Sequence, residues 1–412
     1  MNQLFGQTAQ AFYNASAIGQ DRLIRKEVSL GFIRQLEPPQ SHMGLQLAPF
    51  LEVPTDDVIF GYLVGDTDGL APARAEDSES ELAQKDEYSL QEGRASVIDW
   101  SLKDHYTASD VNRFREINRV VEQLQRGSLP LFATSALEDF ATRLSRDAAR
   151  RRRKLDNRIE WLIMTSLSTN GITYNDGKIK FTVVFDRPAA QSNGNAANDL
   201  NATTNVAYKR ANVTDGVIDW SSTTHDPIGQ IQAIQEFMFD LYGVRMNRIL
   251  TSKTVVRRIV NSDMFAQRAG LGYAPLPGNA TKAPDPLYLI DGWGPDAARA
   301  VVENACDVQF ILNDSVYRTR NIGSQTIVNN RFWPINQMLF LPDPADLAEI
   351  DDTEIGFGRT LTSPHPEGNW TPGFYEWEDS TKDPWGQDAG TGVKAFPVFP
   401  HMEYTYSVNV TT

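Results

Sequence analysis

A single cysteine, Cys306, occurs in 412 residues. An internal disulfide and any multi-cysteine metal site are therefore excluded by counting, and a lone thiol of this kind is expected as a small buried apolar residue. No stretch approaches the roughly 20 apolar residues that cross a bilayer. The opening MNQLFGQTAQAF lacks both the charged lead and the apolar run of a secretory signal, so neither export nor a membrane partner is expected. The five histidines, His42, His105, His225, His365 and His401, show no HExxH-type spacing, and neither a GxxxxGK phosphate loop nor a GxSxG elbow is present. DTDG at Asp66 opens like a calcium loop, but Leu70 and Arg74 fall where oxygen ligands are needed and Ala71 stands where glycine must make the turn. A plain turn is expected there. His225 beside Asp226 reads as part of a helix cap rather than a catalytic pair. The seven N-x-S/T matches, at Asn14, Asn201, Asn212, Asn279, Asn313, Asn369 and Asn409, carry no weight without a secretory route. These absences leave no catalytic, cofactor-binding or metal-ligating residue to nominate.

Charge is what the sequence has in excess, and it is unevenly placed. The formal net charge is -14, yet Glu76 to Glu92 holds seven acids against Lys85, and Asp343 to Asp388 holds twelve against Arg359 and Lys382. The rest of the chain is close to neutral. Against this background, Arg143 to Arg158 carries eight cations opposed only by Asp147 and Asp156. Two acidic surfaces and one basic helix describe sided electrostatics, suited to neighbours of opposite sign. With 41% hydrophobic residues, the chain can bury a substantial core in two or three domains or lobes.

The first fifty residues mix short apolar pieces with a break at Pro38-Pro39 and read as an extended arm that needs other surfaces to cover it. DDVIFGYLVGDTDG predicts a strand, the acidic stretch after it a long polar excursion, and ASVIDWSL a second strand, together a projecting hairpin-like loop. ASDVNRFREINRVVEQLQRG, 108–127, has a helical period. A second helix is predicted to open at Ser135 with Glu138, the spacing of a capping box. Its apolar series, Leu137, Phe140, Ala141, Leu144, Ala148, Leu155, Ile159, Leu162, Ile163 and Leu167, runs on to the Asn170-Gly171 stop, which makes it about 50 Å long. Such a length is unusual for a compact enzyme domain. GITYNDGKIKFTVVFDRP predicts a hairpin turning at Asp176-Gly177, with Ile179, Phe181, Val183 and Phe185 on one face. A small, polar loop follows around Gln191. Then come a helix over DPIGQIQAIQEFMFDLYG, a strand over RMNRILTS, a helix over KTVVRRIVNSDMF, and a tail of short strands closing on the alternating MEYTYSVNV.

This order of parts, an arm, a long loop, a very long helix carrying RRRR and leaving through EWLIMTSLSTNGITY, a hairpin, then DWSSTTHDPIGQIQAI, resembles the major capsid proteins of tailed bacteriophages, the lambda-type capsid protein E family. The local cues are Trp220-Ser221 followed by Asp226-Pro227 at a helix start, and Glu160, Gly171 and Tyr174 at the exit of the long helix. The resemblance implies an α+β fold of the Hong Kong 97 type. On that pattern 1–54 is the amino-terminal arm and lead-in, 55–107 an extended loop, 108–217 with the carboxyl-terminal strand 389–412 a peripheral domain holding the spine helix, and 218–388 an axial domain. It further implies copies of the same chain as partners, in pentamers and hexamers of a shell around double-stranded DNA. Scaffolding, portal and decoration proteins are implied with them, with weak nonspecific contact to DNA, assembly in the host cytoplasm and residence in the virion. The chain departs from the lambda pattern in a longer polar insert after Pro188 and in its Trp- and Pro-rich stretch from Asn369 to Trp385.

Two other readings compete. Arg150 to Lys154 could neutralise phosphates, but five consecutive cations span more than one helical turn and cannot share a face. An acidic chain with one loose basic run favours a solvated face, or pairing with acidic segments of adjacent copies. FYEWEDSTKDPW sets Glu376, Glu378, Asp379 and Asp383 among Tyr375, Trp377 and Trp385, the ingredients of a sugar platform with a carboxylate pair. Acids two residues apart on a strand nevertheless carry no assurance of the required separation. A carbohydrate-active protein built on 370–385, and a cellular nanocompartment shell of the same fold, stand as the alternatives to a non-enzymatic capsid protein.

Overall fold

The computed structural model describes residues 26–64, 89–107, 109–110, 131–176, 179–185, 187–188, 191, 220, 227–262, 265, 296, 299–320, 326–350, 356–382 and 385–410. The arm before Lys26, the tip of the long loop, the helix expected over 108–127, the Asp66 turn, the His225-Asp226 pair and the polar insert apart from Gln191 lie outside the described residues. The lead-in is not extended throughout. It forms helix α1, Lys26–Gln35, which buries Leu30, Phe32 and Ile33, then the short turn of helix α2, Gly44–Leu47. VSLGFIRQL therefore finds cover for Leu30, Phe32 and Ile33 within its own chain, where the sequence predicted part of an extended arm needing other surfaces.

Strand β1, Phe50–Glu52, leads to β2, Asp57–Val64, and β3, Ser89–Ser96, which pair antiparallel from Asp57 opposite Ser96 to Val64 opposite Ser89. The two strands expected from the sequence are present and paired, with the return strand starting earlier than ASVIDWSL suggested. That stretch is split: Ala95 and Ser96 end β3, and Asp99 begins β4, Asp99–Thr107, in another sheet. The spine helix α3 then runs from Leu131 to Thr169, 39 residues, or about 58 Å at 1.5 Å per residue. It starts four residues before Ser135, so the Ser135–Glu138 pair lies inside the helix and is not its cap. Leu144, Ala148, Leu155, Ile159, Leu162, Ile163 and Leu167 are buried as the periodicity requires. From Ile159 to Leu167 the helix is enclosed on nearly every side, since Glu160, Met164 and Ser166 are buried too. Asn170 adopts a left-handed conformation (φ 59°) that ends the helix. Gly171 is required because a β-carbon there would strike the Val183 carbonyl. It begins β5, Gly171–Asn175, paired with β6, Lys180–Val184, and Asp176 accepts from the Ile179 amide (2.8 Å) to close the turn. Phe181, Val183 and Phe185 are half-buried on one face, while Ile179 is exposed.

Helix α4, Pro227–Tyr242, feeds β7, Arg248–Thr251, and helix α5, Lys253–Val260, is capped by Ser252, whose hydroxyl accepts from Val255 N (3.3 Å). Next come β8, Gln309–Leu312, a ribbon of β9, Val316–Arg320, with β10, Ile327–Arg331, then β11, Gln337–Leu341, and helix α6, Pro344–Ile350. The remaining strands are β12, Arg359–Thr362, β13, Phe374–Lys382, β14, Trp385–Val398, and β15, Tyr406–Asn409. Two sheets organise the body. The first has the order β1-β12-β14-β13 with β4 also on β14, and the second β15-β11-β7-β8. α3 lies across β14 and also touches β11, so a single core joins both sheets.

These memberships cut across the boundaries expected from the sequence. β12 and β13, inside the expected axial segment 218–388, belong to the sheet of β4 and β14. The expected carboxyl-terminal strand divides as well: β14 starts at Trp385 and ends at Val398, and β15 crosses to the second sheet. Tyr404 to Val408 are all buried, so the tail is an interior strand where alternation suggested a half-exposed one. Strand pairing is set by contacts distant in sequence, which linear pattern does not encode.

Candidate functional site

The basic run resolves residue by residue. Arg150, Arg153 and Lys154 face outward, whereas Arg151 and Arg152 are buried. Arg151, 2% exposed, donates to Glu376 Oε1 (2.9 Å), Asp104 Oδ2 (2.8 Å) and Thr391 Oγ1 (2.9 Å). It thus fastens the spine helix to three neighbouring strands, β13, β4 and β14. Arg152 donates to Asp156 Oδ1 (2.9 Å) and to the Ile33 carbonyl (2.8 Å), with its guanidinium 3.4 Å from the centre of the Phe374 ring. Arg158 lies about 5 Å from the Trp100, Trp161 and Tyr174 rings. The acidic partners anticipated in adjacent copies are thus met inside the same chain by the buried Arg151 and Arg152, and at the surface by Arg150, 3.5 Å from Asp147. A helical step of 100° per residue turns part of any such run toward the core.

The same geometry takes Glu376 out of the carboxylate pair of the sugar-platform reading. Glu376 is buried and engaged by Arg151, while Asp379 is exposed and accepts from the amide of Ser380 (2.8 Å). Tyr375 and Trp377 fill slots over Gly392 and Gly390, their direct partners on β14, where a β-carbon would strike the rings. Tyr375 also stacks on His365 at 3.9 Å. Trp370 projects, 71% exposed. Asp383 and the Trp385 side chain lie outside the described residues.

Glu160, named from the sequence, sits at a three-way joint. Its carboxylate accepts from Met43 N (3.1 Å), Gly44 N (2.8 Å) and Asn313 Nδ2 (3.0 Å). The spine is thereby tied to the lead-in and to the turn after β8. Burial pushes its carboxyl above the ordinary range against the pull of these three donors. Arg187, which sequence reasoning passed over, makes the corresponding tie at the spine's end. It donates to Leu167 O (2.8 Å) and Thr405 Oγ1 (2.9 Å), and burial lowers its guanidinium to about 10. On β4 and β14, Asp388 is held by Lys103 (2.6 Å) and His105 (2.5 Å), and those hydrogen bonds depress its carboxyl. A cleft of about 550 Å³ opens between β4 and the spine, lined by Asp104, His105, Tyr106, Arg143, Arg146, Asp147 and Arg150. Cys306 is a buried thiol, as expected. No group of three metal-ligating side chains occurs among the described residues, and none of their helices is long and apolar enough to cross a membrane.

A spine helix laid across a long sheet, a second sheet sharing its core, and separate two-stranded ribbons make an α+β capsid fold of the Hong Kong 97 type. The fold matches, at 11% identity and a TM-score of 0.50, the protein described as the capsid protein of a prophage of E. coli CFT073, over 94% of this chain and 99% of that one. A phage-related protein from Bordetella bronchiseptica RB50 aligns over 95% of this chain and 99% of its own, at 12% identity and a TM-score of 0.48. The encapsulin complex protein of Synechococcus elongatus PCC 7942 aligns over 96% and 93%, at 9% and 0.38. Curated protein sequences give no match. Residues 32–234 match the family model described as Phage major capsid protein E. Over those residues the chain is similar to this family of phage major capsid proteins.

Proposed function

We propose that the chain assembles into pentamers and hexamers that close an icosahedral shell around double-stranded DNA. Scaffolding and portal proteins guide the process in the host cytoplasm, and the chain acts as a building block with no catalysis of its own. The observation that carries this reading is the β2–β3 ribbon. Eight residue pairs, from Asp57 opposite Ser96 to Val64 opposite Ser89, form a two-stranded sheet outside both main sheets. A lone ribbon of this kind is marginal in water and gains stability when a neighbour covers it.

In this scheme 26–53, the spine helix and the sheet of β4, β12, β13 and β14 make the peripheral domain, 57–96 the extended loop, and the sheet of β7, β8, β11 and β15 with α4 to α6 the axial domain. Assembly begins with weak electrostatics between acidic and basic surfaces, and contact with packaged DNA is weak and nonspecific. Electron microscopy of the expressed full-length chain tests the proposal. Closed shells or five- and six-membered rings are expected, and a monodisperse monomer at high concentration refutes it.

A further inference from the structure

The β9–β10 ribbon has one face on which every residue is exposed. Its antiparallel register sets Val316 opposite Arg331, Arg318 opposite Asn329 and Arg320 opposite Ile327. Directly opposed residues share a face, and all six of these are exposed. The other face carries Tyr317, which packs against Phe332 at 4.9 Å. The open face is thus basic and apolar together, with no acid on it. Its one described ion pair joins Arg331 to Asp314 of the same chain (2.9 Å).

A complementary surface lies at the end of α4. Its last turn exposes Phe239, Asp240 and Leu241, with Glu236 exposed one turn earlier. That turn has no basic residue of its own, although a helix carboxyl terminus favours a nearby cation. Acid, helix-end carbonyls and two large apolar side chains match arginines, Val316 and Ile327 in kind. The acidic segment at α6 is a poorer match. Leu347 there is buried, which leaves charge without an exposed large apolar partner among its described residues.

We propose that the open face of β9–β10 docks on the last turn of α4 of a second copy, an inference that rests on the shell reading. Both surfaces are exposed in the same chain, so they meet between copies. Two different patches joined head to tail generate a ring when the rotation closes, which makes this contact a ring-forming one within the capsomer.

Ile327→Cys combined with Phe239→Cys tests the pairing in assembled full-length protein, since the native Cys306 is buried. Under mild oxidation, a disulfide-linked ladder is expected from the double variant and not from either single one. Arg320→Glu is expected to lower particle yield about tenfold, as a reversed interfacial charge does, and adding Asp240→Arg is expected to restore it. Normal shells whose cysteine pair stays unlinked, or a folded Arg320→Glu chain that assembles at full yield, overturn the docking and leave the shell reading standing. Failure of the wild-type chain to form any ring or shell overturns that underlying reading instead. Disulfide linkage of the Ile327→Cys thiol to a cysteine introduced within 76–92 or 343–354, in place of Phe239→Cys, identifies a different occupant and also overturns the docking on α4.

Discussion

Replacing Arg151 with methionine isolates the role of the basic run. The side chain is 2% exposed and makes three hydrogen bonds of 2.8 to 2.9 Å, one of them to Glu376, which is itself 1% exposed. Methionine fills much of the volume but leaves the Glu376 carboxylate buried without its main counter-charge. Breaking a buried pair from one side costs about 3–5 kcal/mol. Arg150→Met, which removes an exposed partner 3.5 Å from Asp147, is expected to cost under about 1 kcal/mol. Replacing the pair together, Arg151→Met with Glu376→Met, is expected to recover most of the loss because no uncompensated charge remains. Urea unfolding of the full-length single and double variants gives the coupling directly. If Arg151→Met costs no more than Arg150→Met, or if the two losses simply add, the clasp is not what holds the spine to the sheet. A variant of unchanged stability with weakened, salt-dependent DNA binding would instead return the run to phosphate contact.

Three further outcomes follow from the same geometry. Burial pushes the Tyr106 phenol from 10.0 to about 12. The unfolded chain therefore loses this proton first as pH rises, and stability falls between pH 10 and 12 by up to about 3 kcal/mol; Tyr106→Phe should flatten that limb in unfolding measured against pH, and an unchanged limb refutes the assignment. Gly392→Ala forces a β-carbon into the Tyr375 ring and is expected to cost about 1–3 kcal/mol, read as a lowered urea midpoint; a neutral result would mean that the strands separate freely. Glu160→Ala leaves the Met43 and Gly44 amides and the Asn313 side chain without their acceptor, at about 1–3 kcal/mol per unmade bond. Hydrogen exchange should show lost protection concentrated at 43–47, and protection retained there would refute the three-way joint.

Local and periodic features were legible in the sequence: the spine core from Leu144 to Leu167, its Asn170-Gly171 stop, the hairpin closed by Asp176, the helix ending at Tyr242, and the two-stranded ribbon opened by DDVIFGYLV. Each follows from side-chain spacing or from the backbone preference of a few adjacent residues, and their order carried the family resemblance. The fate of individual charges was not legible, because the helical repeat requires some of Arg150 to Lys154 to turn inward without saying what they will meet. Nor did Arg187 carry a signal, since its partners lie at Leu167, Met402 and Thr405 and only the folded chain brings them near. Sheet membership belonged to the tertiary structure for the same reason. β14 finds β4 across about 280 residues of chain, a distance inferred from its register, and β15 leaves that sheet for the other although both strands lie in one expected terminal segment. Sequence alone determined which segments become helix, strand and turn, since those choices cost and gain energy locally. Only the folded chain decided which of them pair and which charges are buried, because those energies exist only once distant residues are brought into contact.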